Sequence, residues 1–166
     1  MVLPDEVIEF GPSRCEEVVG WMERLEPTHQ GWINIQPGVP DQVLERPPTS
    51  LSMFHRRPRE LTLATWTPGG VRRRGPEAPM VGIQHGRPDR VRTILAPAGL
   101  GVPAGWRVLW DRPAAGLVAR LPQGAEHAEV LAWLLRAVEL VSPVPVVGTW
   151  RALVHRGRKA KEGPAE

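Results

Sequence analysis

Cysteine is nearly absent from this sequence, which has Cys15 alone in 166 residues. An intramolecular disulfide is therefore excluded, and this usage is typical of proteins in a reducing compartment. None of the five histidines has a second histidine or a cysteine at the spacing of zinc ligands. We therefore expect neither a disulfide nor a bound metal.

Long hydrophobic runs are missing as well. No apolar stretch approaches the roughly 18 residues that are needed to cross a membrane. The first residues, Met1 to Glu6, include two acids and lack the basic start of a secretory signal. We therefore expect a cytoplasmic protein that has no membrane partner.

The common catalytic and phosphate-binding signatures are absent too. There is no Gly-x-Ser-x-Gly nucleophile elbow and no P-loop. The glycine-rich stretch Gly99–Gly105 lacks the G-x-G-x-x-G spacing, and it precedes a strand pattern instead of linking a strand to a helix. Cys15 lies on the apolar stripe of a helical pattern, where a cysteine is usually an inert small residue. The sequence therefore predicts no cofactor.

Lysine, asparagine and tyrosine are scarce. Only Lys159 and Lys161 among the 21 basic residues are lysines, Asn34 is the one asparagine, and tyrosine is absent. Together with abundant alanine, glycine, proline and arginine, this bias indicates a GC-rich bacterial genome. Arginine is then the default cation, so its abundance does not by itself indicate nucleic-acid recognition.

What the chain does contain is an uneven distribution of charge. Residues 1–54 carry three basic and nine acidic side chains, whereas residues 55–92 carry nine basic and three acidic ones. The two regions can neutralise each other within one molecule or across a dimer, or they can face separate partners.

The clearest structural pattern lies in residues 106–141. Two apolar runs, Trp106–Trp110 and Leu117–Leu121, alternate as strands do and predict a β-hairpin. In the first run, the alternation places on one core-facing side Trp106, Val108 and Trp110. The segment Ala125–Val141 follows the helical period and predicts the main amphipathic helix.

The rest of the chain predicts a second long helix and further strands. Ser13 and Glu16 form a capping-box pattern that opens a helix from about Arg14 to Leu25. Pro88–Leu95 favours a short helix over a strand at Val91–Leu95, and residues 68–79 favour a mobile loop. Strand patterns occur at Val7–Phe10, Gly31–Ile35, Leu51–Phe54, Leu61–Thr67 and Met80–Gln84.

These elements predict an α+β fold. We expect a mostly antiparallel sheet with two main amphipathic helices packed on it, in a single layered domain over residues 1–155. The remaining residues 156–166 are polar and charged, which is typical of a disordered basic tail.

The arginine-rich region is the feature that points to a function. Guanidinium groups suit phosphates and carboxylates, and Trp66 lies between two arginine clusters, where it is a candidate for stacking on a base. The arginines of the two clusters are Arg56, Arg57, Arg59, Arg72, Arg73 and Arg74, with Arg87, Arg90 and Arg92 beyond them. They predict a binding surface for an acidic protein, a second copy of the chain, or nucleic acid.

Two histidines support an alternative of a different class. His85 and His55 each follow an apolar strand pattern, a position where functional residues often lie. The second hypothesis is therefore a small cofactor-independent enzyme with a histidine acid/base. The structural alternative for each is a turn histidine with one backbone hydrogen bond. Because the sequence identifies no partner acid, a non-catalytic interaction module is the preferred interpretation.

Overall fold

The structure is a computed structural model that describes residues 3–38 and 62–157. Its strands are β1 (Glu6–Phe10), β2 (Trp32–Pro37), β3 (Leu63–Thr67), β4 (Val71–Arg72), β5 (Gly75–Pro76), β6 (Met80–Gln84), β7 (Arg107–Arg112), β8 (Gly116–Arg120) and β9 (Trp150–His155). Its α-helices are α1 (Glu16–Leu25), α2 (Val91–Leu95) and α3 (His127–Val141). A single 3₁₀ turn follows each of the first two helices, at Glu26–Thr28 and Ala96–Ala98.

Seven of these strands form one sheet, and the predicted α+β fold is confirmed. The strand order is β1-β9-β2-β3-β6-β8-β7, and every neighbouring pair is antiparallel. The short strands β4 and β5 form a separate hairpin. All three helices bury their apolar residues in one core with the same face of the sheet.

Alternating burial explains why these segments are strands. In β2, Ile33 and Ile35 are fully buried against the helices, whereas Asn34 lies on the other side of the sheet. We call that other side the open face. One row of paired residues crosses it from β9 to β7 and consists of Leu153, Asn34, Thr65, Gly82, Val118 and Trp110.

The helix α3 is the largest single contributor to the core. The prediction of a helix at Ala125–Val141 is confirmed, with its start two residues later. The helix ends where Pro143 follows Ser142, because a proline disfavours helical geometry in the residue before it. Its fully buried residues include Leu131, Leu134, Ala137, Val138 and Val141. Within the described ranges, no helix is long and apolar enough to span a membrane.

The last strand joins the two ends of the described chain. β9 lies between β1 and β2, and β1 is the edge strand of the sheet at this end. Arg151 pairs with Glu9 at 3.0 Å, and the backbone N–H of Arg156 donates to Asp5 Oδ2 at 2.6 Å. The acids Glu9 and Glu6 therefore lie against Arg151 and Arg156, two arginines near the end of the described chain.

The predicted hairpin is present, but one face of it was predicted wrongly. β7 and β8 pair, with a bulge between Val108 and Trp110. A bulge inserts one extra residue and so reverses the alternation beyond it. Trp110 consequently lies on the open face with 36% exposure, and Asp111 occupies the buried side in its place.

The helix starts also differ from the sequence patterns. The capping box at Ser13 is wrong, because α1 begins at Glu16 with Cys15 as its N-cap. The thiol of Cys15 donates to the carbonyl of Pro12 at 3.1 Å. Burial raises the pKa of this thiol, which favours the unreactive protonated form.

The helix α2 confirms the helical alternative for its segment. It begins at Val91, three residues after the predicted start at Pro88. The predicted strand at Leu51–Phe54 lies outside the described residues, as do residues 158–166 of the predicted tail.

Candidate functional site

The segment predicted as a mobile loop contains an ordered hairpin. Strands β4 and β5 pair Val71 with Pro76 and Arg72 with Gly75, so Arg73 and Arg74 form the turn. Gly75 follows the turn with a φ of +108°, a conformation that favours glycine. The hairpin therefore holds the second arginine cluster on a defined backbone.

Two backbone hydrogen bonds fix the position of this hairpin. The N–H of Glu77 donates to the carbonyl of Gly70 at 2.7 Å and closes its base. The N–H of Leu121 donates to the carbonyl of Pro79 at 2.8 Å, which ties the segment after the hairpin to the end of β8. As a result the hairpin lies beside Arg120, the last residue of β8.

These elements enclose a half-open pocket of about 860 Å³, which we call the arginine pocket. Its wall is formed by Arg72, Arg73, Arg74, Gly75, Pro76, Glu77, Ala78 and Arg120. Four arginines and one glutamate of the described residues thus line one site. An excess of positive charge in a concave site attracts anions and holds them in place.

The two arginines at the end of the β7–β8 pair strengthen this positive charge. Arg120 lies directly opposite Arg107 in the antiparallel register. Like charges directly opposite each other destabilise a sheet. The Nε atom of Arg120 is also buried and makes no hydrogen bond to the described residues. An anion at this point would offset the repulsion between the two guanidinium groups.

The acid that the described residues contribute to the pocket is already paired. Glu77 Oε1 lies 2.9 Å from Arg72 Nε, and the side chains are 26% and 77% exposed, respectively. The sequence reasoning did not identify Glu77 as a site residue. The alternation in residues 117–121 places Arg120 on the side of its strand opposite Leu121, but the sequence contains no signal that the hairpin lies next to it.

The structure does not gather the whole arginine-rich region at this site. Arg87 Nη1 lies 3.5 Å from the carbonyl of Leu140 near the end of α3, where a cation is favourable. Arg92 pairs with Asp111 at 3.2 Å. Arg72, Arg73 and Arg74 are thus the predicted binding residues that line the pocket. Outside the described residues lie Arg56, Arg57, Arg59 and His55.

Trp66 has a different role from the one expected. Its side chain is fully buried, and its ring meets the ring of His127 edge-on at 5.8 Å between centroids. His127 Nε2 in turn lies 3.0 Å from Glu26 Oε2, although not in hydrogen-bond geometry. Trp66 belongs to the core, because it is on the same side of β3 as Ala64. Its ring is therefore not available to a nucleic-acid base.

His85 has the geometry of a turn residue. Its Nδ1 accepts a hydrogen bond from the backbone N–H of Arg87 at 3.1 Å, and the residue is only 5% exposed. Burial, with a smaller contribution from the charge of Arg87, lowers the pKa of His85, although Asp111 and Asp89 act in the opposite direction. His85 does not line the arginine pocket.

The lowered pKa of His85 predicts a pH-dependent stability. A histidine that is harder to protonate in the folded state binds protons preferentially when the chain unfolds. The stability is fully present above the usual pKa of about 6.5 and declines as the pH falls towards the folded-state value. We expect the free energy of unfolding to fall between about pH 7.5 and about pH 5.5 by more in the wild type than in His85→Asn.

Urea denaturation of both proteins at both pH values measures this difference. Asparagine keeps an acceptor for the N–H two residues on, so the turn is retained while the titrating group is removed. Any pH-independent cost of the smaller side chain cancels in the comparison. An equal decline in the two proteins would contradict the assignment.

Comparison with known proteins adds no assignment. No protein-family model matches the sequence, no curated protein matches it, and no solved structure matches the fold.

Proposed function

We propose that this protein is a non-catalytic interaction module that binds an anionic partner through the arginine pocket. The observation that carries the proposal is the convergence of Arg72, Arg73 and Arg74 from the hairpin with Arg120 from the sheet around one concave site. Arg120 lies 46 residues after Arg74 in the sequence, and folding brings its positive charge to those of the hairpin at an energetic cost. Binding of an anion offsets that cost.

The internal pairing of charges supports the same proposal. Glu9 pairs with Arg151, and Glu6 lies 3.8 Å from Arg156, so these two acids of β1 have counter-ions other than the hairpin arginines. Among the described residues, Glu77 is the one acid that lines the pocket. The candidate partners are an acidic protein surface, a second copy of the chain, and nucleic acid.

Retention on heparin tests the proposal with a general polyanion. The triple variant Arg72→Ala/Arg73→Ala/Arg74→Ala should bind heparin at least about tenfold more weakly and elute at lower salt, since each charge-assisted hydrogen bond contributes about 1.5–3 kcal/mol. The fold should persist, because all three arginine side chains are exposed.

A matched control separates the pocket from net charge. The variant Arg14→Ala/Arg90→Ala/Arg136→Ala also loses three positive charges, but from exposed positions outside the pocket wall. If both triple variants elute at the same salt concentration, the pocket has no specific role. Light scattering on the same samples shows whether a second copy is the partner, because a pocket-dependent dimer would dissociate in the first variant alone.

A further inference from the structure

We infer that the arginine pocket recognises the carboxylates of an acidic polypeptide, and that Glu77 competes with this ligand for Arg72. The inference rests on the proposed function. It adds the class of ligand and identifies Glu77 as a competitor that belongs to the pocket itself. The juxtaposition that supports it is the 2.9 Å contact between Glu77 Oε1 and Arg72 Nε inside the pocket.

The pocket already holds one carboxylate, that of Glu77. The contact to Arg72 shows that a side-chain carboxylate fits against a guanidinium group of this wall at hydrogen-bond distance. A glutamate or aspartate of a partner presents the same chemical group. The remaining arginines of the wall, Arg73, Arg74 and Arg120, can then receive further carboxylates of the same segment.

Nucleic acid suits this pocket less well than an acidic polypeptide does. The part of the wall formed by described residues contains no aromatic side chain, so it offers a base no stacking surface. Trp66, which lay nearest in sequence, is fully buried. The whole chain carries 21 basic and 18 acidic residues, a net charge of +3, and strong binders of nucleic acid usually carry a larger positive excess.

Glu77 is held at the pocket by the backbone of the hairpin. Its backbone N–H is bonded to Gly70 at the base of the hairpin, so its carboxylate stays at the pocket at a high effective concentration. A ligand carboxylate must displace it from Arg72 and must also approach its negative charge. Glu77 therefore lowers the affinity of the pocket for anions, and its removal should raise that affinity.

The experiment measures binding of two labelled probes to the full chain by fluorescence anisotropy at neutral pH and fixed ionic strength. One probe is a poly-glutamate peptide and the other an oligothymidylate of matched charge. Glu77→Gln keeps the shape of the side chain and removes its charge. We expect it to bind the peptide about three- to tenfold more tightly than the wild type, since it removes one charge repulsion and one competing ion pair.

The control variant is Glu23→Gln. Glu23 is exposed on α1, on the helical face of the sheet, and its replacement changes the net charge by the same amount. We expect its effect on peptide binding to be less than about twofold, because exposed charges beyond a Debye length are screened. Both variants should have the unfolding midpoint of the wild type, which separates a binding effect from a change in stability.

The outcomes separate this inference from the proposed function. Equal peptide affinities of Glu77→Gln and Glu23→Gln would overturn the competition, while loss of binding in the triple arginine variant would still support the pocket. Tighter binding of the oligothymidylate than of the peptide would overturn the acidic polypeptide as ligand and assign nucleic acid. Failure of wild type and Glu77→Gln to bind either probe would overturn the proposed function itself.

Discussion

Replacement of Asp111 by alanine is expected to lower the free energy of unfolding by about 2–4 kcal/mol, because it removes a helix cap and leaves a buried backbone N–H without an acceptor. The side chain of Asp111 is 1% exposed. Its carboxylate accepts hydrogen bonds from the backbone N–H groups of Val91 and Arg92, at 2.9 and 3.2 Å, and from Arg92 Nε at 3.2 Å. It therefore caps the first turn of α2 from a neighbouring strand.

The cost arises mainly from what the substitution leaves behind. Val91 is fully buried, so its N–H would lose its acceptor without gaining water. Asp111→Asn keeps one acceptor oxygen and should cost less, about 1–3 kcal/mol, because its NH₂ group cannot accept from the second N–H.

Urea denaturation at neutral pH measures these differences. Asp89→Ala is the matched control, since Asp89 is an exposed aspartate close in sequence to the same helix, and it should change stability by no more than about 0.5 kcal/mol. If Asp111→Ala and Asp89→Ala had the same small effect, the cap would not stabilise α2.

Asp111 also shows which part of the fold could not be predicted from the sequence. Periodicity located β8 and α3, because their buried residues follow the strand and helix repeats, and it located β7 from the alternating apolar residues of Trp106–Trp110. It placed Trp110 in the core because strict alternation continues through Trp106–Trp110. The bulge after Val108 breaks that alternation, and the residue that turns inward is a charged one whose partner lies twenty residues earlier in α2. Local patterns do not contain that partner.

The arginine pocket was partly predictable for a similar reason. The cluster Arg72–Arg74 was identified from its charge alone, and three of the six predicted arginines are outside the described residues. The hairpin was missed because β4 and β5 have two residues each and bury no apolar side chain. Arg120 joins the site only through the pairing of β8 with β6 and the bond from Leu121 to Pro79. Such contacts depend on the tertiary structure and leave no periodic signal.

The end of α1 and the end of α2 resemble each other in local structure. Each helix continues into a 3₁₀ turn with proline near its start, Pro27 in the first and Pro97 in the second. Each turn ends in a left-handed residue, His29 with φ +52° and Gly99 with φ +69°. The next tryptophan comes three residues after His29, at Trp32, but seven residues after Gly99, at Trp106. The two segments therefore do not align at a fixed spacing.

Replacement of Gly116 by alanine is expected to be the most destabilising single methyl addition in the sheet. Gly116 is buried at the start of β8, with a φ of +127°, and pairs with Gln84 of β6 and Arg112 of β7. An ideally placed Cβ would overlap the carbonyl oxygen of Ile83. Strain at this φ costs about 1–3 kcal/mol and overpacking against a fixed backbone a further 1–3 kcal/mol, so we expect a loss of about 2–6 kcal/mol.

A second glycine separates the two causes of this loss. Gly124 has a φ of +74°, and a Cβ there would meet no atom within 4 Å. Gly124→Ala therefore reports conformational strain alone, and it should cost about 1–2 kcal/mol. Thermal and urea unfolding of both variants give the difference, which measures the contact with Ile83. If Gly116→Ala cost no more than Gly124→Ala, β8 would not pass as close to the backbone of β6 as the structure shows.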